Sequence, residues 1–433
     1  MKIHQIFFIK ILKYILRFFL VRVLKIFALL SVIIYRFIYI KKKTNYTTPT
    51  VQTYGDTLRH YQLIYLLNIN YKKKFHIVSL NKEPCKTFLP FFFNKNYYSY
   101  YNEFFYLFFR KFLSLFKGMR GIIKEFDDQI LTYLIKYNSS LKYYKSNYSI
   151  AKDVVYKRLK KKHSPEFIKK YLYQKNFDNK SQSLHKIRLL SKKMNFNFKK
   201  LISQSEYQAI KNNLKINSKY VCLHLRYLDD NDLRKDIRSI NDLDSYTDLI
   251  KFIITEGYKV IVMGSKNDKF KLGLDSKEII YYKDSIFQNY KNDLLLIANC
   301  DLYIGNNSGP MTAAEIFKKK SVIFDYFPMY LGSILKERIY GLKKIMNLNN
   351  NQFLTHLEIS KDGIFFDANF EDLKKKNYLP IEQTSLEKLN IIKVFLNQDK
   401  NNEFSTGSNG SKLRYKLDVD EFFYKQASFK FYT

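Results

Sequence analysis

Val221-Cys222-Leu223-His224-Leu225-Arg226 and, about eighty residues later, Asp301-Leu302-Tyr303-Ile304-Gly305-Asn306-Asn307-Ser308-Gly309-Pro310 are the two stretches that decide the fold of this chain. The first is an apolar run ending in a cation. The second is an apolar run that breaks at Gly305 and resumes after Pro310. Near-continuous apolar runs of this length suit strands covered on both faces, hence a parallel sheet. Ser308 suits a helix N-cap, Gly309 leaves its amide accessible, and Pro310 fits a first helical turn where no donor is needed. The second stretch therefore predicts strand, turn and helix.

The same alternation extends outward. Tyr220 to Leu225 reads as a strand, and Ser245 to Glu256 as a helix with Tyr246, Leu249, Ile250, Ile253 and Ile254 on one face and Gly257 as its stop. Lys259 to Met263 is the next strand, closed by Gly264. Tyr290 to Asn299 (helix), Asp301 to Ile304 (strand), Met311 to Lys318 (helix) and Ser321 to Phe324 (strand) follow. Strands alternating with helices specify a Rossmann-like α/β domain, assigned to residues 213–396. After Asp325 the pattern loosens until a last helix, Ser385 to Leu396; residues 397–433 read as a linker and weakly ordered tail. Residues 46–212 are compatible with a degenerate α/β domain. It has a helix at Thr57 to Leu67, a strand at Phe75 to Leu80, an aromatic-rich stretch from Phe88 to Phe116 and a helix start at Ser164-Pro165-Glu166.

Residues 1–45 form a separate segment. It is apolar but interrupted by Lys2, Lys10, Lys13, Arg17, Arg22, Lys25 and Arg36, and its longest charge-free run is the ten residues Ile26 to Tyr35. That is short of the ~20 residues that span a bilayer. At 100° per residue the seven cations occupy an arc of about 200°, opposite Ile, Phe and Leu. The expected structure is a basic amphipathic helix lying in a membrane interface, peripheral on the cytoplasmic face of the inner membrane. A single-pass anchor through residues 18–40 is disfavoured by its internal cations; either arrangement leaves Lys41 to Lys43 cytoplasmic. The remaining alternative is an ordinary amphipathic helix packed on a soluble core.

Composition excludes several classes. The 433 residues are 46% hydrophobic and 17% aromatic, so a formal charge of +36 does not make the chain a disordered polyelectrolyte. Its lysines fall in short scattered runs of the kind that form solvated faces, and no nucleic-acid partner is expected. Cys85, Cys222 and Cys300 are far apart, which argues against a disulfide framework or a zinc knuckle. No G-x-x-x-x-G-K-[ST], G-x-G-x-x-G, H-E-x-x-H or G-x-S-x-G pattern occurs.

In an open α/β sheet, ligands sit beyond the carboxyl ends of the strands. Arg226 would reach that crevice with a fork suited to a diphosphate. His224 shares its strand face and is either a structural histidine or a base. Gly305, Asn307, Ser308 and Gly309 would form the second wall, where a helix N-terminus attracts anions. Gly264 closes the neighbouring strand. The polar loop Asp229 to Ser239 lies between, with Asp236 and Arg238 its chosen candidates; its acids lack the EF-hand spacing, so no metal is assigned. Asp418-Val419-Asp420 has a D-x-D form, but it stands in the tail and is read as chance.

The order and spacing of Tyr220 to Arg226, Arg234 to Ser239 with Tyr246, Gly257 to Gly264, and Leu295 to Asp301 into Gly305 and Ser308-Gly309 resemble a bacterial glycosyltransferase family of surface-polysaccharide clusters. The match covers about residues 215–330, and a basic amphipathic N-terminus is also similar. More distantly, the H-x-R strand and the Ser-Gly turn resemble O-fucosyltransferase-like and heptosyltransferase-like enzymes of the GT-B fold. The resemblance implies two Rossmann-like domains facing across a cleft, with residues 46–212 on the acceptor side and residues 213–396 binding a nucleotide-sugar donor. It implies a hexosyl-, fucosyl- or heptosyl-type transferase acting on a surface-polysaccharide or lipid-linked glycan, without cofactor or metal. Arg226, Arg238, Gly264, Gly305, Asn307, Ser308 and Gly309 would hold the donor. Arg226 would assist the departing diphosphate, and His224 or Asp236 would be the base. Asn306-Asn307 stands where related enzymes often carry an acid. The alternative is a non-catalytic protein of a membrane surface, binding glycan or nucleotide and retaining the fold.

Overall fold

The computed structural model describes residues 22–35, 45–47, 54–70, 75–80, 82–101, 198–226, 239–264, 271–327, 338–354, 370–400 and 430–432, together with 108, 111–112, 123, 126–127, 129–130, 237 and 358. By its contacts the chain divides into two compact units, Met1–Ile150 and Ala151–Thr433. The helix at 204–213 belongs to the second unit.

In the first unit residues 22–35 are helical (α1). They are followed by β1 (Asn45–Thr47), α2 (Tyr54–Asn70), β2 (Phe75–Ser79), α3 (Cys85–Phe92) and β3 (Tyr98–Tyr100). The three strands are parallel in the order β1-β2-β3, with α2 and α3 as crossovers. Thr57, Leu58, Tyr61 and Ile64 form the buried face of α2, at helical spacing. The rings of Tyr54, Tyr61 and Tyr65 meet Phe88 and Phe92 of α3 edge-on. The aromatic stretch is therefore partly core, whereas Phe108 and Phe112 are exposed. The α1 helix contributes Leu24, Ala28, Val32 and Tyr35 to a core with Val78, Leu80, Tyr101, Phe126 and Ile130. Ser31 and Tyr101 share a buried hydrogen bond at 2.5 Å.

The second unit is built on a seven-stranded sheet. Its elements are α4 (Gln204–Asn213), β4 (Tyr220–His224), α5 (Thr247–Thr255), β5 (Lys259–Val262), β6 (Ile279–Ile280), α6 (Tyr290–Asn299) and β7 (Leu302–Gly305). Then come α7 (Pro310–Ile316), β8 (Ser321–Tyr326), β9 (Arg338–Leu342), β10 (Lys344–Asn347), β11 (Gln352–Phe353), α8 (Phe370–Lys375), β12 (Tyr378–Ile381), α9 (Ser385–Lys400) and β13 (Lys430–Tyr432). The large sheet runs β13-β9-β8-β7-β4-β5-β6, and every pair in it is parallel. Strands β10, β11 and β12 form a small antiparallel sheet beside it in sequence.

Both faces of the large sheet are covered. Val221, Leu223 and Leu225 share a core with Leu249, Ile250 and Ile253 of α5 and Ile391, Ile392 and Phe395 of α9. The alternate residues point the other way: the Tyr220 hydroxyl donates to the Leu296 carbonyl of α6 at 2.8 Å. This is the α/β domain expected from the alternating runs. Three features after Asp325 went beyond it: the sixth strand β9, the antiparallel sheet, and β13, an edge strand drawn from the tail expected to be weakly ordered.

One polar cluster ties the last helix to the sheet. Lys388 of α9 pairs with Asp325 of β8 at 3.2 Å, both side chains fully buried. Tyr246 donates to the same carboxylate at 2.8 Å, and the Gln383 backbone N–H donates at 2.7 Å. Burial, reinforced by Asp325, pushes the Tyr246 phenol well above its ordinary value, so it remains a donor.

Candidate functional site

Numbered within its own sheet, the strand order β6-β5-β4-β7-β8-β9 is 3-2-1-4-5-6, and the winding reverses between β4 and β7. At such a reversal the two neighbouring crossovers leave in opposite directions, and a crevice opens at the carboxyl ends of those strands. The residues there are His224, Leu225 and Arg226 after β4, and Asn306, Asn307 and Ser308 after β7. Residues 220–226 and 301–310 thus meet at the fold's one reversal among the described strands. His224 pairs in register with Gly305.

Their junction is tightly specified. The Arg226 backbone N–H donates to Asn306 Oδ1 at 2.9 Å, while the Asn306 side-chain amide reaches the Arg226 carbonyl at 3.5 Å. The Arg226 guanidinium crosses to the Asn307 carbonyl at 3.3 Å. The Asn307 side-chain amide donates to the Phe327 carbonyl at 3.0 Å. Asn306, Asn307 and Ser308 are buried, whereas Arg226 and His224 are partly exposed at the edge. A neutral amide in the Asn306 position reads both a donor and an acceptor of the facing strand end; a carboxylate there would accept only.

Two expectations for this turn are corrected. Gly309, not Ser308, occupies the N-cap of α7, and no side chain caps it; Pro310 begins the helix as expected. Gly305 was expected to line the second wall of the crevice. A Cβ there would instead lie 2.8 Å from the His224 carbonyl oxygen and 2.9 Å from the Tyr303 hydroxyl. The glycine lets β7 lie against β4 and leaves room for the ring of Tyr303 on the same strand. The side-chain amide of Asn307 likewise braces Phe327 rather than facing outward.

Gly264 ends the β5 side of the crevice with φ +146, a conformation other residues rarely adopt. Its carbonyl accepts from Gln288 Nε2 at 3.2 Å. On the other side the chain returns to Arg226: Ile240 N–H and Ser239 Oγ donate to its carbonyl at 3.0 and 3.4 Å. Buried Lys343 donates to the Ser239 carbonyl at 3.2 Å and pairs with Glu382 at 3.5 Å. Glu382 in turn accepts from the Asn241 and Asp242 amides at 2.9 and 3.3 Å. This frame fixes where the loop after β4 rejoins the fold. Asp236 and Arg238, the loop's chosen candidates, lie outside the described residues, as do Asp418-Val419-Asp420 and the helix start at Ser164.

Asn306, Ser239, Lys343 and Glu382 were not among the sequence candidates. Asn306 had a local signal, since a polar residue directly after a buried strand must satisfy backbone groups. Lys343 and Glu382 had none; they act more than a hundred residues from the segment they hold. Among the described residues no group of three or more His, Cys, Asp or Glu is placed to hold a metal ion.

No protein-family model matches the chain, and no curated protein does. Among solved structures it is similar to the ADP-heptose LPS heptosyltransferase II of E. coli, at 13% identity and a TM-score of 0.42, over 82% of this chain and 100% of that one. It is also similar to a glycosyl transferase family 9 protein from Veillonella parvula, at 13% identity and a TM-score of 0.38, over 69% of this chain and 85% of that one. At such scores neither likeness adds to the geometry above.

Proposed function

We propose that the chain is a GT-B-like glycosyltransferase that moves a sugar from a nucleotide-sugar donor to a surface-polysaccharide or lipid-linked glycan acceptor, without a metal. The observation that carries this reading is the pairing of Arg226 with the buried Asn306–Ser308 turn at the reversal of a 3-2-1-4-5-6 parallel sheet. The motif resemblance over residues 215–330 supplies the sugar.

In the reaction the acceptor hydroxyl oxygen bonds to the anomeric carbon as that carbon's bond to the diphosphate breaks. The bonding electron pair leaves with the diphosphate, and the acceptor proton passes to a base, His224 or Asp236. Negative charge grows on the leaving group. A guanidinium already hydrogen-bonded to the Asn307 carbonyl meets that charge without reorganising, which is where preorganised electrostatics lowers a barrier. Arg238, Gly264, Ser308 and Gly309 complete the proposed donor set.

Thermal melting with a panel of nucleoside diphosphates tests the reading. GDP or UDP should raise the melting temperature of the full chain, and Arg226→Ala should abolish the rise. A flat response to every nucleotide would sink the proposal. Activity should also survive EDTA; its loss would return the acidic loop to consideration as a metal site.

A further inference from the structure

The α1 helix has two apolar faces. Leu24, Ala28, Val32 and Tyr35 pack into the first unit. On the other side Val23 (45% exposed), Ile26 (60%), Leu30 (49%) and Ile33 (37%) face outward. At 100° per residue these four fall within an arc of about 80°, roughly opposite the buried set. Arg22 and Lys25 are exposed beside them. A helix that only completes a core needs one apolar stripe. This one carries a second, and six of the eleven large apolar side chains exposed among the described residues belong to the first unit, including the stacked rings of Phe108 and Phe112.

Charge decides what covers the stripe. No Asp or Glu occurs before Asp56, whereas residues 1–43 carry ten Lys and Arg. Such a face repels a second copy of itself. It matches an anionic bilayer, where each cation near the surface strengthens attraction about fivefold. With its inner face held in a protein core, α1 cannot be ringed by lipid and can only lie along the surface.

We propose that the outward stripe Val23, Ile26, Leu30 and Ile33, with Arg22 and Lys25, docks this protein on an anionic lipid bilayer. The interfacial segment expected from the sequence is thereby assigned a definite face, and the proposal stands apart from the sugar-transfer reading.

The chain contains no Trp, so Leu30→Trp makes a single emission reporter in the full-length protein. With phosphatidylcholine–phosphatidylglycerol vesicles its emission should shift to the blue and be quenched by brominated acyl chains. Neutral vesicles or high salt should remove the shift, and so should adding Ile26→Asp. Ile286→Trp, 85% exposed in the second unit, should not shift. Unshifted Leu30→Trp emission while the protein floats with vesicles would overturn the proposal. So would equal shifts at both reporters, or a concentration-dependent shift without lipid, which would assign the stripe to a second copy. If Leu30→Trp melts early, Ile33→Trp reads the same face.

Discussion

Replacing Lys388 by Met should destabilise the second unit by about 3–5 kcal/mol, because it strands a buried carboxylate. Asp325 and Lys388 are both fully buried at 3.2 Å. Lys388 also donates to Ser245 Oγ at 2.9 Å and to the Gln383 carbonyl, and stands 4.6 Å over the Tyr246 ring. Met keeps the aliphatic volume but none of these polar contacts, so the upper half of the range is expected. Asp325 has φ +50, a conformation that Asn tolerates well, so Asp325→Asn removes the charge without adding backbone strain. That variant should cost about 3 kcal/mol, since it leaves the ammonium without its counter-charge. The double variant should cost roughly 2–3 kcal/mol less than the sum, a coupling expected of groups in direct contact. Urea unfolding followed by far-UV circular dichroism measures all four proteins. Single variants costing under about 1 kcal/mol, or costs that simply add, would refute the view that this pair fastens α9 to the sheet.

Gly305→Ala should cost about 1–3 kcal/mol by overpacking against the His224 carbonyl and Tyr303 ring. Adding Tyr303→Phe should recover only part of this in thermal melts, because the backbone clash remains; full recovery would show that strand approach is not limiting. Asn306→Ala leaves the Arg226 N–H without its side-chain acceptor and should cost about 1–3 kcal/mol. It should also weaken nucleotide-induced stabilisation, whereas an unchanged nucleotide response would separate the clamp from binding. Burial raises the Asp293 carboxyl to about 7, with the Tyr282 hydroxyl opposing. The folded state then holds that proton longer than the unfolded chain, so stability falls as pH rises from about 4 to 7 and levels above. Asp293→Asn should remove this fall and gain up to about 4 kcal/mol over the parent at pH 8, from three pH units at roughly 1.36 kcal/mol each. Equal urea midpoint differences at pH 4 and pH 8 would contradict it.

The second unit was legible because a buried parallel strand is a near-continuous apolar run, and residues 220–223, 260–263, 302–304 and 322–324 are such runs. Helix α5 was legible through its one-sided spacing and Gly257. Short β6, the strands β9 to β12 and the edge strand β13 were not, since none carries a continuous apolar run beside a recognisable helix. In the first unit β2 and α2 were seen, but the packing of α1 against β2 was not: from sequence its two apolar faces merge into general hydrophobicity. Only neighbours reveal which face they cover.

For the site, the chain on its own named Arg226 and the Gly305–Gly309 turn, because a cation after a strand and a turn before a helix are local patterns. It could not give their partnership, which depends on β4 and β7 being adjacent where the winding reverses. Nor could it give the roles of particular residues in the turn. Gly305 proved to serve strand approach and Asn306 to clamp Arg226, through contacts about eighty residues apart in sequence. Local chemistry selected the residue types; strand order selected which of them meet.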